Sequence, residues 1–239
     1  MHLDGMKVLL VGGTSGIGLA VAKAVAERGA TPLVASRRQS SVDAALSQLP
    51  TGSRGLTVDL DDPDSIAAMV AVAGDIDHLV YTAGENLQLT MLEELTPSRV
   101  WDFWRTRYVG ALSVLRASRS SLSPRGSVVL TSGNAGQRPA AGWALGASIC
   151  GAIDALTREL ALELAPIRVN AIAPGVTRSP LWGSLSEDEQ RNLYDNVGAS
   201  IPAGRIGDAS DAALAYVYAM EQEMATGTII TVDGGAVLV

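Results

Sequence analysis

The chain has 239 residues, 47% of them hydrophobic and only 4% aromatic, with a net charge of -7 and a single cysteine. The absence of a basic run disfavours nucleic-acid binding, the lone Cys150 excludes an internal disulfide, and two histidines leave little for a metal centre. No apolar run reaches membrane-spanning length, and the opening MHLDGMK does not read as a signal peptide, so the expected setting is the cytoplasm.

Taken in order, the chain opens with Val8, Leu9, Leu10 and Val11, a short apolar run of the kind buried in a parallel sheet. Gly12-Gly13-Thr14-Ser15-Gly16-Ile17-Gly18 follows, and then Ile17, Val21, Ala24 and Val25 recur at helical spacing up to Gly29. Strand, glycine turn and helix in that order give the glycines separate jobs. Gly12 turns the chain off the strand, Gly16 lets backbone approach a bound group, and Gly18 lets the helix pack closely. The free N–H groups and positive dipole end of such a helix favour a pyrophosphate.

Further strands are predicted at 31–36, 55–58, 76–81, 127–131, 167–173 and 228–232. Between them lie helices at 40–49, 98–121, 142–164 and 208–222 and one starting at Asp62-Pro63, with a short one at 186–196 inside the polar stretch 181–204. Seven strands alternating with helices predict one α/β domain over 1–239, a doubly wound parallel sheet flanked by helices, with ligands at the carboxyl ends of the strands. Gly12, Ser36, Asp59, Thr82, Ser132 and Pro174 are therefore expected along one crevice.

The residues after the second strand choose the nucleotide. An acid there would bind a free ribose 2′-hydroxyl, whereas an arginine accommodates a 2′-phosphate. Ser36, Arg37 and Arg38 occupy the place and no acid does, so NADP(H) is predicted over NAD(H). Asp59 is a candidate for the adenine edge.

VGGTSGIG (11–18), VDLDD (58–62), TAG (82–84), VVLTS (128–132), IRVNAIAPG (167–175) and VDGG (232–235) together resemble the short-chain dehydrogenase/reductase family over nearly the whole chain. The resemblance implies a Rossmann fold and a nicotinamide cofactor. Its contacts would come from Gly12, Thr14, Ser15, Gly16, Ile17 and Gly18, from Ser36 to Arg38, from Asp59, Leu60, Ala83 and Gly84, and from Pro174, Gly175 and Val176. It also implies a homodimer or homotetramer built on the two long helices, a small-molecule substrate, and a segment near 181–204, with Trp182, that covers that substrate.

The family's chemistry is a proton relay coupled to hydride transfer, with a serine, a tyrosine, a lysine four residues after it, and an asparagine in the first long helix. Ser132 fits the serine. Thirteen residues on, Leu145 stands where the tyrosine belongs, Ile149 where the lysine belongs, and Arg107 takes the asparagine place. The chain has only two lysines, Lys7 and Lys23, both in the first strand–helix unit. Leu145, Trp143 and Trp182 are expected to line the substrate pocket, and Arg107 to meet either an anionic ligand or an acid such as Asp102. His78 lies toward the far end of the fourth strand, so a Ser–His pair with Ser132 is disfavoured. Three readings stay open: an NADP(H)-dependent oxidoreductase with an atypical site, a non-redox or inactive dinucleotide-binding homologue, and a structural subunit of an active relative.

Overall fold

The computed structural model describes residues 2–87 and 89–239. β1 (Lys7–Val11), β2 (Thr31–Ser36), β3 (Arg54–Thr57), β4 (Ile76–Tyr81), β5 (Leu122–Thr131) and β6 (Arg168–Pro174) form one sheet with a last strand, β9 (Ile229–Val232). Their order across the sheet is β3-β2-β1-β4-β5-β6-β9, and every pairing is parallel. The order reverses beside β1, which places a crevice at the carboxyl ends of β1 and β4. Two short strands, β7 (Thr177–Arg178) and β8 (Gly207–Asp208), pair separately and tie the two ends of the 177–208 segment together.

Alternation along each strand divides the core. Leu9, Val11, Leu33, Leu79 and Leu130 face α3 (Pro63–Ala73), α5 (Ala111–Ser118) and α6 (Ala144–Glu163). Val8, Leu10, Val34, Val80, Val129 and Ile172 face α1 (Gly16–Ala26), α2 (Gln39–Leu46) and α8 (Ala209–Glu221). Strands buried on both faces read as continuous apolar runs, which is the pattern the sequence shows. Asp62 caps α3 by accepting from the Asp64 N–H, with Pro63 at the first helical position. Ser186 and Glu189 form a capping box at the start of α7 (Glu187–Ser200).

Two differences from the sequence reading bear on the site. The predicted helix 98–121 is α4 (Pro97–Trp104), a π-helical turn (Arg105–Gly110) and α5 in succession. β5 begins five residues earlier than 127, because its register against β4 slips between Ile76 and His78 and residues 123–126 bulge there.

Candidate functional site

A crevice of about 790 Å³ runs along the carboxyl ends of the strands. At one end lies the glycine turn. Gly12 has φ +88°, and a Cβ there would come within 2.6 Å of the Ala83 N atom. A Cβ on Gly18 would overlap the Gly12 carbonyl oxygen, so this glycine lets α1 sit down on the turn. Ser15, the N-cap, makes no side-chain cap bond, so no side chain of its own plugs the first turn of α1. This is an open cradle of the kind that suits a pyrophosphate.

Every residue assigned to the cofactor from sequence lines this crevice: the turn from Gly12 to Gly18 (Gly13 apart), Ser36 to Arg38, Asp59 and Leu60, Ala83 and Gly84, and Pro174 to Val176. Arg37 and Arg38 are exposed at its rim. Trp143 and Trp182 also line it, their rings 6.2 Å apart and edge-on. Trp182 is buried, with its indole N–H on the Thr177 carbonyl, so it forms a fixed wall.

The far end holds the surprises. α6 turns Gly146, Ile149, Cys150 and Ile153 toward the crevice. Leu145, one residue and roughly 100° earlier on the helix, is not among the lining residues. Ile149, at the lysine position of the spacing, does line the crevice, together with Gly146, Cys150 and Ile153. On β5, Ser132 and Gly133 both line the crevice. A Cβ on Gly133 would come 3.0 Å from the Cys150 sulfur, whereas the Ser132 hydroxyl donates to Asp154 Oδ1 at 2.6 Å. None of these residues carries a phenol or an ammonium. Burial, reinforced by the Asp154 carboxylate, pushes the Cys150 thiol up to about 11, so it stays protonated near neutral pH.

Arg107 does enter the crevice, with its side chain 14% exposed. Its partner is Glu85 rather than Asp102, which instead pairs with Arg105. Arg107 Nη1 donates to Glu85 Oε2 at 3.1 Å and Nη2 donates to the Glu85 carbonyl. The guanidinium lies 4.1 Å from the Phe103 ring centre, and its other side packs so tightly on Gly84 that a Cβ there would be 3.1 Å from Nε. Glu85 and Phe103 carry no local sequence signal for this role; only the tertiary fold brings them to Arg107.

Two loops are tied together at the mouth. The Leu87 N–H donates to the Leu181 carbonyl at 2.9 Å, and the Ser184 hydroxyl donates to the Leu87 carbonyl at 2.9 Å. Pro180 lies over the glycine turn, 3.1 Å from where a Gly16 Cβ would stand. His78 is far from all of this, buried between Ser127 Oγ (2.8 Å) and the Met6 sulfur (3.3 Å).

A doubly wound parallel sheet with this glycine turn and crevice defines a nicotinamide-dinucleotide-binding protein. Residues 11–237 match the family described as Enoyl-(acyl carrier protein) reductase. The chain is 36% identical to the short-chain dehydrogenase/reductase ATR9 of Stachybotrys chlorohalonatus, over 99% of this chain and 98% of that one. It is 31% identical to the 3-oxoacyl-(acyl-carrier-protein) reductase FabG of Vibrio cholerae, over the full length of both. Among solved structures it superposes on the reductase/Diels-Alderase MalC from Malbranchea aurantiaca with a TM-score of 0.91, at 30% identity, covering 99% and 98% of the two chains. A small-chain dehydrogenase in complex with NADPH gives 0.85 at 32% identity, covering 99% and 100%. The chain belongs to the short-chain dehydrogenase/reductase family.

Proposed function

We propose that this protein is an oxidoreductase that prefers NADP(H) and transfers hydride without the family's tyrosine–lysine proton relay. The observation that carries the reading is the crevice itself, which has the glycine turn, Ser36 to Arg38 and Asp59 along one part and Ser132, Gly133, Gly146, Ile149 and Cys150 along another. When bound, the nicotinamide would supply or accept the hydride. The protein's own residues grip and exclude water. The first turn of α1 would hold the pyrophosphate. Arg37 and Arg38 would pair with a 2′-phosphate, and no acid at the end of β2 opposes them. Trp143, Trp182 and Ile149 would press the substrate against the nicotinamide in an apolar setting, with Leu181 and the rest of the 181–204 segment as its cover. Simple carbonyl reduction would run roughly a hundred- to ten-thousand-fold below a relay-equipped relative, the usual worth of general acid–base help.

Association with a second copy through the long helices suits the same picture, since Trp101 and Val109 on the first are 65% and 41% exposed and Leu162 on the second 78%. A second reading, a non-redox enzyme that merely shapes its substrate, is favoured by the missing proton donors. The name of MalC joins both activities on one such fold.

Calorimetric titration with NADPH and NADH is the test. NADPH is expected to bind at least about tenfold tighter, and Arg37→Ala with Arg38→Ala to erase the difference, in keeping with the loss of charge-assisted bonds. Tighter binding of NADH would overturn the cofactor assignment. Brisk reduction of plain ketones would overturn the relay-free mechanism.

A further inference from the structure

Arg107 sits on the π-helical turn, and the cause of that turn is visible. The Tyr81 hydroxyl, at the end of β4, donates to the Thr106 carbonyl at 2.5 Å. That carbonyl is thereby engaged from outside the helix, where a regular turn would point it at the amide four residues on. Gly110 makes room for the phenol, because a Cβ there would be 2.6 Å from its oxygen. The widened turn aims Arg107 into the crevice. Phe103 and Gly84 both pack against its guanidinium, and Glu85 takes one edge. Its remaining N–H donors have no acceptor among the described residues, and the side chain lines the crevice within the electrostatic reach of Cys150.

We propose that Arg107 donates a hydrogen bond to a substrate oxygen that gains negative charge during the reaction, and that Tyr81 is the positioning residue that aims it. The assignment rests on the oxidoreductase reading and deepens it to a substrate class. A guanidinium does not give up its proton in a protein. It can hold an oxyanion but cannot neutralise one. An alkoxide from a simple ketone is too basic to survive on those terms, whereas an enolate is far less basic. The fitting substrate is therefore a conjugated carbonyl. Its β-carbon accepts the hydride from the reduced nicotinamide, which is oxidised. The C=C electron pair moves to form a new C=C bond to the carbonyl carbon, and the C=O pair moves onto oxygen beside Arg107. Water later protonates the α-carbon, giving the saturated carbonyl.

4-Nitrophenol reports on such a site, because its ionised form is a coloured enolate mimic. The NADP⁺-loaded protein is titrated with it across a pH series, with absorbance read at each step and the same series repeated without nucleotide. Bound nitrophenol is expected to ionise about one pH unit or more below the free compound, a tenfold preference for the anion. Arg107→Met should abolish the shift and Arg107→Lys retain part of it. Tyr81→Phe should reduce it, and Glu85→Gln, which frees the guanidinium, should enlarge it, all with NADP⁺ affinity retained. No binding, no shift, or a shift that survives Arg107→Met in a variant that still binds NADP⁺ would overturn the proposal and leave the cofactor reading standing. Failure of NADP⁺ to bind the unaltered protein would sink the cofactor reading alone, since the nucleotide-free series judges Arg107 separately. Should Arg107→Met fail to fold, the opposed responses of Arg107→Lys and Glu85→Gln decide.

Discussion

A methyl group added at Gly18 has nowhere to go, since it would overlap the Gly12 carbonyl oxygen and crowd the Thr82 hydroxyl at 2.5 Å. Gly18→Ala is expected to push α1 off the turn, at roughly 1–3 kcal/mol in stability, and to weaken NADPH binding more than it lowers the melting temperature. Parallel thermal melts and titrations check this. An unchanged affinity would show that the turn does not grip the nucleotide. The glycine turn was readable from sequence because its cause is local: strand, glycines and helix follow one another between Lys7 and Ala26. Leu145 shows the opposite case. Which of two adjacent helical residues meets the crevice depends on how α6 is rotated against β5, and that rotation is fixed by contacts such as the one between Gly133 and Cys150. Sequence spacing counts residues but does not see that rotation.

Among the elements, the seven strands and most helices were legible because burial on both faces leaves continuous apolar runs and the helices carry periodic ones. The π-helical turn was not, because its cause, the Tyr81 hydroxyl, lies 25 residues away. A second long-range tie closes α8. The buried Arg168 guanidinium donates to the Ala219, Met220 and Gln222 carbonyls at 2.6, 2.7 and 2.8 Å. These belong to the last turn of the helix, where carbonyls lack helical partners and the dipole favours a cation. Arg168→Met strands them in the core. The expected cost is at least about 2 kcal/mol, with a fall in melting temperature of roughly 5 °C or more. A melt within a degree of the unaltered protein would show that water replaces the arginine.

At the scale of the whole molecule, acid is expected to act through His78. Burial, helped by the nearby Arg168 charge, pushes its pKa down from 6.5 to about 4. The folded protein therefore keeps His78 neutral where the unfolded chain takes up a proton. Stability contributed this way is whole above about pH 6.5 and drains away as pH falls toward 4, by about 3 kcal/mol in all. Ser127, Met6, Asp77 and Arg168 surround the ring, and Asp77 opposes the shift. Denaturant melts between pH 7 and 4 should show this slope, and His78→Gln should flatten it. No helix among the described residues is long and apolar enough to cross a membrane.

The tied loops at the mouth bear on the order of events. Pro180 overlies the glycine turn while Leu181 and Ser184 are fastened to Leu87, so one flap spans the reacting end and the edge of the nucleotide cradle. If that flap must part for exchange, a dinucleotide is expected to arrive before the second reactant and depart after the product. Its escape would then depend on the parting of two hydrogen bonds as well as on its own grip. Ser184→Ala removes one of them, and stopped-flow displacement of NADPH should register a departure roughly two- to tenfold faster, with turnover rising in step if release is the slowest event.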